Sequence, residues 1–225
     1  MDKEFIETMV LTFELAAITT FILFIIGIPV ASFLAFSKFR FKSFFETIVS
    51  MPLVLPPSVL GFYLLIAFSP VSAIGKFLGE HGINLAFSFE GLVIGSVIFS
   101  LPFMVHPIQS VLSGIPRSLF EASYTLGKSK FETMARVVIP SIKHGLISGI
   151  VLAFAHTVGE FGVILMIGGN IPDETRVASI AIYDEVESLN YTLAHLYALT
   201  LFVVTFAILL IVYTLNKKSL RGGMA

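Results

Sequence analysis

Two side chains capable of chemistry lie four residues apart in one long apolar segment. His156 and Glu160 stand at positions i and i+4, so on a helix they would share a face and together could ligate a metal ion. The sequence has no His-Glu-x-x-His pair and no Gly-x-Ser-x-Gly elbow, the local patterns of a zinc protease and of a serine hydrolase. His106, His144 and His195 lie on other segments, with no spacing that links them. We therefore predict no metal site and no catalytic residue, and an intramembrane metal-dependent enzyme is the unfavoured alternative.

Glu160 needs a separate explanation because it is the one acidic residue deep in its apolar run. If the segment crosses a membrane, an ionised group there costs about 2.5–3.5 kcal/mol on insertion scales, and such groups are functional by default. A carboxylate would repel an anion, so we expect Glu160 to hold an external gate by hydrogen bonding to Arg176 or to backbone amides around Gly159 and Gly162. Structural packing of these glycines against neighbouring helices is the alternative.

A second polar feature follows a group of prolines. Pro52, Pro56 and Pro57 remove three amide donors and clash with preceding carbonyls, and Ser58 adds a hydroxyl. In lipid, the groups freed by such a break need protein or water as partners. The prolines therefore predict a bent helix that lines a cavity, where free amides could face an anion. A static kink at the membrane surface is the alternative.

The composition identifies the environment that must position these residues. Hydrophobic residues make up 56% of the 225 residues, charged residues 13%, and the mean hydropathy is +0.94. A soluble domain carries about 25% charged residues, so a soluble enzyme and a disordered tail are excluded. A net charge of −1 excludes a nucleic-acid binder, and the absence of cysteine excludes disulfides, thiolate metal sites and a cysteine nucleophile. The chain is predicted to be an all-α integral protein of the lipid bilayer, with residues 1–225 forming one transmembrane domain.

Five apolar segments are each long enough to cross the bilayer. A transmembrane helix needs about 20 predominantly apolar residues for a hydrocarbon core of about 30 Å. The segments cover residues 15–37, 47–75, 91–116, 144–172 and 188–216. Residues 177–186 form a possible sixth element, which we interpret as a re-entrant or surface helix because acidic residues crowd its end. We see no convincing cleavage site near the acidic N-terminal residues, so a removable signal peptide is not expected.

The basic residues predict the orientation. Eleven of the 14 Lys and Arg residues fall in three places that alternate with the spans: Lys38, Arg40 and Lys42; Arg117, Lys128, Lys130, Arg136 and Lys143; and Lys217, Lys218 and Arg221. Cytoplasmic loops carry the excess of Lys and Arg. The N-terminus is therefore predicted to lie outside and the C-terminus in the cytoplasm, which agrees with an odd number of spans.

The cytoplasmic loop over residues 113–143 has the signals of two short helices. The patterns Ser118 to Glu121 and Ser129 to Glu132 each fit a capping box. Gly127 is expected to end the first helix in a left-handed conformation, and Pro140 is expected to end the second. An apolar stripe on the second helix is predicted from Phe131, Met134, Ala135 and Val138. A helix lying on the lipid surface is the alternative interpretation.

Residues 121–140 of this loop, EASYTLGKSKFETMARVVIP, resemble the EAA loop of the permeases of ABC importers. Four residues match that pattern in type and spacing, namely Glu121, Ala122, Gly127 and Pro140; Ser123, Val137 and Ile139 are conservative departures from it. The resemblance implies that these seven residues form coupling helices, which dock in a cleft of a cytoplasmic ATPase subunit and transmit its opening and closing. A channel is an unfavoured alternative function, because a channel would have no use for such a helix pair on the cytoplasmic side.

Two further stretches are similar to the molybdate-type permeases, which are close relatives of the tungstate and sulfate permeases. They are MPLVLPPSVLGFYLL at residues 51–65 and HTVGEFGVILMIGGNIP at residues 156–172. The resemblance implies the type I importer fold, a homodimer of this chain, two ATP-binding cassette subunits and an extracytoplasmic oxyanion-binding protein in a prokaryotic inner or plasma membrane. This chain lacks a phosphate-binding Gly-x-x-x-x-Gly-Lys-Ser/Thr motif, so ATP and Mg²⁺ would be used by the partner ATPase, and no cofactor is expected here. Molybdate or tungstate is the favoured substrate and sulfate the alternative.

The translocation pathway is expected at the axis of the dimer. No Lys or Arg lies within a span, so transient passage past Ser, Thr, Asn and backbone amides is favoured over a tight anion site. The candidate residues of the pathway or its gate are Pro56, Pro57, Ser58, Gly61, Thr157, Gly159, Glu160, Gly162 and Asn170.

Overall fold

The structure is a computed structural model that describes residues 3–221, with side chains described as far as residue 214. The described residues form helices and contain no strand, in agreement with the predicted all-α class. The helices are α1 (Lys3–Phe36), α2 (Lys42–Val54), α3 (Pro57–Phe68), α4 (Ala73–Glu80), α5 (Phe89–Ser113), α6 (Arg117–Thr125), α7 (Lys130–Ser141), α8 (Lys143–Val158), α9 (Gly162–Gly168), α10 (Ala178–Glu187) and α11 (Tyr191–Arg221).

Three to five of these elements meet the requirements for a membrane span. Helices α1, α5 and the described part of α11 are long and apolar enough by themselves. Helices α2 and α3 qualify as one span if their bend of 111° is accepted, and α7 and α8 qualify with a bend of 70°. The predicted number of five lies at the upper end of this range and stays a prediction.

The bend between α2 and α3 follows from the prolines. Leu55 and Pro56 have extended backbone, with ψ values of 135° and 134°, and Pro57 begins α3 at a position where no amide donor is needed. Pro52 is accommodated inside α2. The predicted break in the second apolar segment is confirmed, and it lies at residues 55–56.

The fourth apolar segment, predicted over residues 144–172, is not one continuous helix. Helix α8 ends at Val158, and α9 begins at Gly162 after Phe161 with φ −128° and ψ −64°. Gly169 then ends α9 with φ +68°, in the left-handed region that glycine adopts without steric cost. The segment is therefore two helices with a break at residues 159–161. The predicted short element near residues 177–186 is α10, which is not among the candidate spans.

Helix α5 is the centre of the bundle and α11 lies at its edge. The apolar window of α5 is 61% buried, whereas that of α11 is 6% buried. Helix α5 packs against α1 and α8, and glycine permits one of these close contacts, since a Cβ on Gly149 would lie 2.9 Å from the carbonyl oxygen of Met104. The apolar surface of α11 is therefore available to lipid or to another protein chain.

The predicted orientation in the membrane depends in part on residues that the structure does not describe, or whose side chains it does not describe. The side chains of Lys217, Lys218 and Arg221 lie outside the part of the chain whose side chains are described, as do Met1 and Asp2. The placement of the two termini therefore stays a prediction from the distribution of basic residues.

Candidate functional site

A cleft of about 600 Å³ lies where the start of α3 faces the break between α8 and α9. Its wall consists of residues from three parts of the chain: Pro57, Ser58, Phe99, Ala155, His156, Gly159, Glu160, Phe161 and Gly162. Glycine is needed on one side, because a Cβ on Gly162 would lie 2.8 Å from the Cβ of Pro57. The two breaks that interrupt the apolar segments thus meet at one place, which we name the break cleft.

The break cleft collects five of the nine predicted pathway residues, namely Pro57, Ser58, Gly159, Glu160 and Gly162. Pro56 lies next to it in the linker before α3. Gly61 packs α3 against α9 instead, where an added Cβ would lie 2.8 Å from the Cβ of Met166. Asn170 lies beyond α9 in a left-handed conformation and donates to Asp184 Oδ2 at 2.5 Å. These two residues position elements rather than line the cleft.

Glu160 does not make the contact with Arg176 that the sequence suggested. Arg176 instead forms ion pairs with Glu4 at 2.7 Å, with Glu185 at 3.5 Å and with Asp184 at 3.6 Å. The Glu160 side chain is 3% exposed, and neither carboxyl oxygen has a hydrogen-bond partner among the described residues, backbone amides included. The predicted hydrogen bonds from Glu160 to Arg176 and to backbone amides are therefore absent among the described residues, and a role of Glu160 in a gate stays a prediction. Its backbone carbonyl, however, accepts a hydrogen bond of 2.6 Å from Ser179, which ties the break to α10.

His156 lies in the wall of the cleft, although its spacing to Glu160 in the sequence indicates only a possible metal ligand. Its Nδ1 atom lies 2.8 Å from Ser100 Oγ, and its ring stacks on Phe103 with a centroid distance of 3.9 Å. The predicted pathway residue Thr157 is buried behind it, with Oγ1 3.0 Å from Ser100 Oγ. Ser100 is 56 residues away in sequence, so no local pattern could reveal this arrangement.

The predicted coupling loop folds as two short helices, as expected, but the first begins in a different way. Pro116 is the residue before α6, with no side-chain hydrogen bond to the helix end, and Ser118 lies inside the first turn. The predicted capping box from Ser118 to Glu121 is therefore wrong, because the proline already starts the helix. Gly127 has φ +74°, which confirms its predicted left-handed conformation between α6 and α7.

The second predicted capping box is present at the start of α7. The Glu132 amide donates to Ser129 Oγ at 3.1 Å, and the Ser129 amide donates to Glu132 Oε2 at 3.3 Å. The Ser129 amide, together with the nearby charge of Lys128, lowers the pKa of Glu132 below its usual value. The start of α7 is thus fixed by its own side chains.

A hydroxyl pair joins the two short helices. Ser123 Oγ of α6 lies 2.8 Å from Thr133 Oγ1 of α7, and both side chains are buried. The serine that departs from the alanine of the EAA pattern therefore has a partner. The bond fixes the two helices to each other at a second point besides Gly127.

The predicted apolar stripe on α7 does not form one buried face. Val138 is fully buried, but Phe131 is 82% exposed. Residues Met134–Val138 form a π turn, in which the Ile139 amide donates to the Met134 carbonyl and changes the phase of the helix. The helix ends at Ser141, one residue beyond Pro140, which agrees with the predicted end within the usual uncertainty of a helix boundary.

The loop presents an outer surface, the coupling surface, with two large apolar side chains. Leu126 is 80% exposed and Phe131 82%. Glu121 and Ala122 are also exposed, as are Gly127 and Pro140, whereas Val137 and Ile139 are half-buried. Exposed apolar groups on a short rigid helix pair are typical of a surface that contacts another protein.

The chain matches the family model described as binding-protein-dependent transport system inner membrane component over residues 27–221. It is 44% identical over 216 residues to the molybdenum transport system permease protein ModB of Azotobacter vinelandii, covering 96% of this chain and 95% of that protein. It is 32% identical over 216 residues to the sulfate transport system permease protein CysT of Synechocystis sp., covering 96% of this chain and 76% of that protein.

The fold is shared with a solved transporter. A chain in the crystal structure of a bacterial ABC transporter involved in the import of the acidic polysaccharide alginate superimposes with a TM-score of 0.82. The match covers 97% of this chain and 80% of that one, at 17% sequence identity. The helical fold described above is thus shared with a chain of that transporter.

Proposed function

This chain belongs to the family of binding-protein-dependent transport system inner membrane components and is a permease subunit of an ABC importer, and we propose that its substrate is molybdate or the similar oxyanion tungstate. The observation that carries the proposal is the 44% identity to a molybdenum transport permease over nearly the full length of both chains. Sulfate is the second candidate, supported by the 32% identity to a sulfate permease.

The proposed assembly is a homodimer of this chain with two cytoplasmic ATP-binding cassette subunits and an extracytoplasmic molybdate- or tungstate-binding protein. The coupling surface supports the contact with the ATPase, because it exposes Leu126 and Phe131 on a helix pair that is fixed by Gly127 and by the bond from Ser123 to Thr133. The proposed orientation, with the N-terminus outside, places this surface in the cytoplasm. Residues 1–225 act as one permease domain with five spans.

The proposed mechanism is alternating access. ATP closes the partner subunits and draws the two coupling surfaces together, which opens the paired permeases toward the loaded binding protein. Hydrolysis returns the dimer to an inward-facing state. The break cleft is the proposed wall of the pathway, because lipid cannot satisfy the backbone groups freed at residues 55–56 and 159–161, and irregular backbone at membrane depth is tolerated where it is buried in protein or lines a water-filled cavity.

The lack of a cationic side chain in the wall of the break cleft supports a permease that binds the anion weakly and leaves high affinity to the binding protein. The nine residues that line the break cleft include neither Lys nor Arg, and the one carboxylic acid among them, Glu160, is 3% exposed, so little of its surface is presented to an anion. An anion would therefore be held weakly and released quickly, by Ser58 and by backbone and ring N–H groups. The binding protein would supply the affinity and most of the selectivity.

The substrate is tested by uptake into proteoliposomes that contain this chain with its ATPase, and the binding protein outside. We expect ATP-dependent accumulation of molybdate that excess tungstate abolishes and that equal sulfate leaves nearly unchanged. Accumulation of sulfate in preference to molybdate would assign the chain to the sulfate alternative. Accumulation of neither oxyanion, with an active ATPase, would overturn the proposal.

A further inference from the structure

The ring of His156 is held from behind by a chain of hydroxyl groups. Nδ1 lies 2.8 Å from Ser100 Oγ, Ser100 Oγ lies 3.0 Å from Thr157 Oγ1, and Thr157 Oγ1 lies 2.9 Å from the carbonyl oxygen of Ala153. Phe103 stacks on the ring at 3.9 Å, and the centroid of Phe99 lies 4.8 Å from it. These contacts fix the plane of the imidazole at the wall of the break cleft and use one of its two nitrogens. The other, Nε2, has no hydrogen-bond partner among the described residues.

Two arrangements of the hydrogens make a hydrogen bond of each Ser100 contact and use the Ser100 hydrogen in one of them. Each hydroxyl has one hydrogen to donate. When Thr157 donates to the Ala153 carbonyl, Ser100 donates to Thr157, so Nδ1 carries the ring hydrogen and Nε2 is an acceptor. When Thr157 donates to Ser100 instead of to the Ala153 carbonyl, Ser100 donates to Nδ1, so Nε2 carries the hydrogen and is a donor. The ring is neutral and the number of hydrogens is the same in both.

We propose that His156 contacts the oxyanion during passage, through an Nε2–H group that the anion itself selects. This inference rests on the proposed function and names a residue of its pathway. An anion in the cleft stabilises the arrangement with a donor at Nε2 and destabilises the one with a lone pair there. With no Lys or Arg among the lining residues, a neutral imidazole in the same cleft wall as the Ser58 hydroxyl gives a directional but weak contact. Such a contact suits an ion that has to leave again.

Three substitutions separate this role from a structural one. At position 156, Gln places its amide nitrogen near the position of Nε2. Asn places its amide nitrogen near the position of Nδ1 and is too short to reach the cleft. Leu has no hydrogen-bond donor at either position. We expect His156→Gln to keep most of the maximal uptake rate at saturating loaded binding protein. His156→Asn and His156→Leu should each lower it by about tenfold or more, the effect of losing one hydrogen bond to a charged group. His195→Gln, on the exposed α11, is the matched control and should transport like the wild type.

The outcomes are distinguishable from a failure of the proposed function. If the wild-type complex accumulates no oxyanion, the proposed function fails. If the wild type transports and all three variants match it, His156 is not a contact. If Asn retains uptake and Gln does not, the ring serves only to anchor Ser100, and the proposal is overturned.

A second measurement needs no variant. Diethyl pyrocarbonate modifies an accessible imidazole nitrogen, and mass spectrometry of the peptide that contains His156 measures the rate in the intact complex. We expect millimolar molybdate to slow modification of His156 several-fold while leaving that of the exposed His81 unchanged. Equal rates at His156 with and without molybdate, in a complex that transports, would overturn the proposal.

Discussion

At the scale of single residues, the close approach of Gly162 to Pro57 determines the shape of the break cleft. A Cβ on Gly162 would lie 2.8 Å from the Cβ of Pro57 and 3.5 Å from the Ser58 amide nitrogen. Pro57 is a rigid ring at the start of α3 and cannot rotate away. Any side chain at residue 162 therefore has to separate α3 from α9.

We expect Gly162→Ala to destabilise the protein by about 1–3 kcal/mol, which is the usual cost of overpacking a close contact. Thermal unfolding in detergent measures the change. Gly159→Ala is the matched control for stability, because the nearest atom to its added Cβ is 3.7 Å away, an ordinary contact distance. Equal destabilisation by both substitutions would show that the close packing against Pro57 is not what constrains residue 162.

The contacts of individual side chains are also the feature that sequence patterns predict least well. The isolated position of Glu160 marked it correctly as unusual, and the structure buries it at 3% exposure. Its expected partner Arg176 is instead held by Glu4, 172 residues away in sequence, and by two acids of α10. Such pairings depend on how helices pack, which local spacing does not encode.

At the scale of elements, the coupling loop depends on a left-handed residue between its two helices. Gly127 has φ +74°, and a Cβ there would meet nothing within 4 Å, so conformation and not space is the constraint. Proline fixes φ near −65° and cannot adopt this backbone. Helices α6 and α7 would then meet at another angle.

We expect Gly127→Pro to abolish uptake while the protein still inserts in the membrane, because the change affects only the loop. Glu121→Lys, which reverses a charge on the coupling surface, should have the same effect. Transport assays with the inserted amount measured by immunoblot provide the test. Gly114→Ala is the control, since Gly114 has an ordinary helical backbone and its added Cβ would meet nothing closer than 3.5 Å. Normal uptake by Gly127→Pro would contradict the coupling role.

Elements that are marked by strong local signals could be predicted from the sequence, and those that depend on context could not. The proline break before α3, the left-handed Gly127 and the capping box at Ser129 are present as predicted. The box at Ser118 is absent because Pro116 caps the helix two residues earlier, which places Ser118 inside the first turn. The break after α8 was missed because Gly159 and Gly162 permit a break but do not require one, and apolar composition alone looks continuous.

At the scale of the whole molecule, the distribution of buried surface indicates where other molecules bind. Helix α5 is enclosed by its neighbours, whereas the apolar window of α11 is 6% buried and the coupling surface is exposed. The membrane class and the helical fold could be predicted from the composition. That the breaks of two distant segments meet in one cleft could not, because the meeting depends on how the helices pack. The cleft and the coupling surface lie on different parts of the chain, and two helices connect them: α5, which contributes Phe99 to the cleft and ends before α6, and α8, which begins after α7.

The measurement that tests the central claim most directly is native mass spectrometry of the tagged chain, extracted from its own membrane in mild detergent. The account predicts a complex of two copies of this chain with two copies of an ATPase that carries a phosphate-binding Gly-x-x-x-x-Gly-Lys-Ser/Thr motif. Gly127→Pro should lower the yield of that complex, and Gly114→Ala should not. Recovery of the wild-type chain without an ATPase, repeated across gentle conditions, would contradict the account.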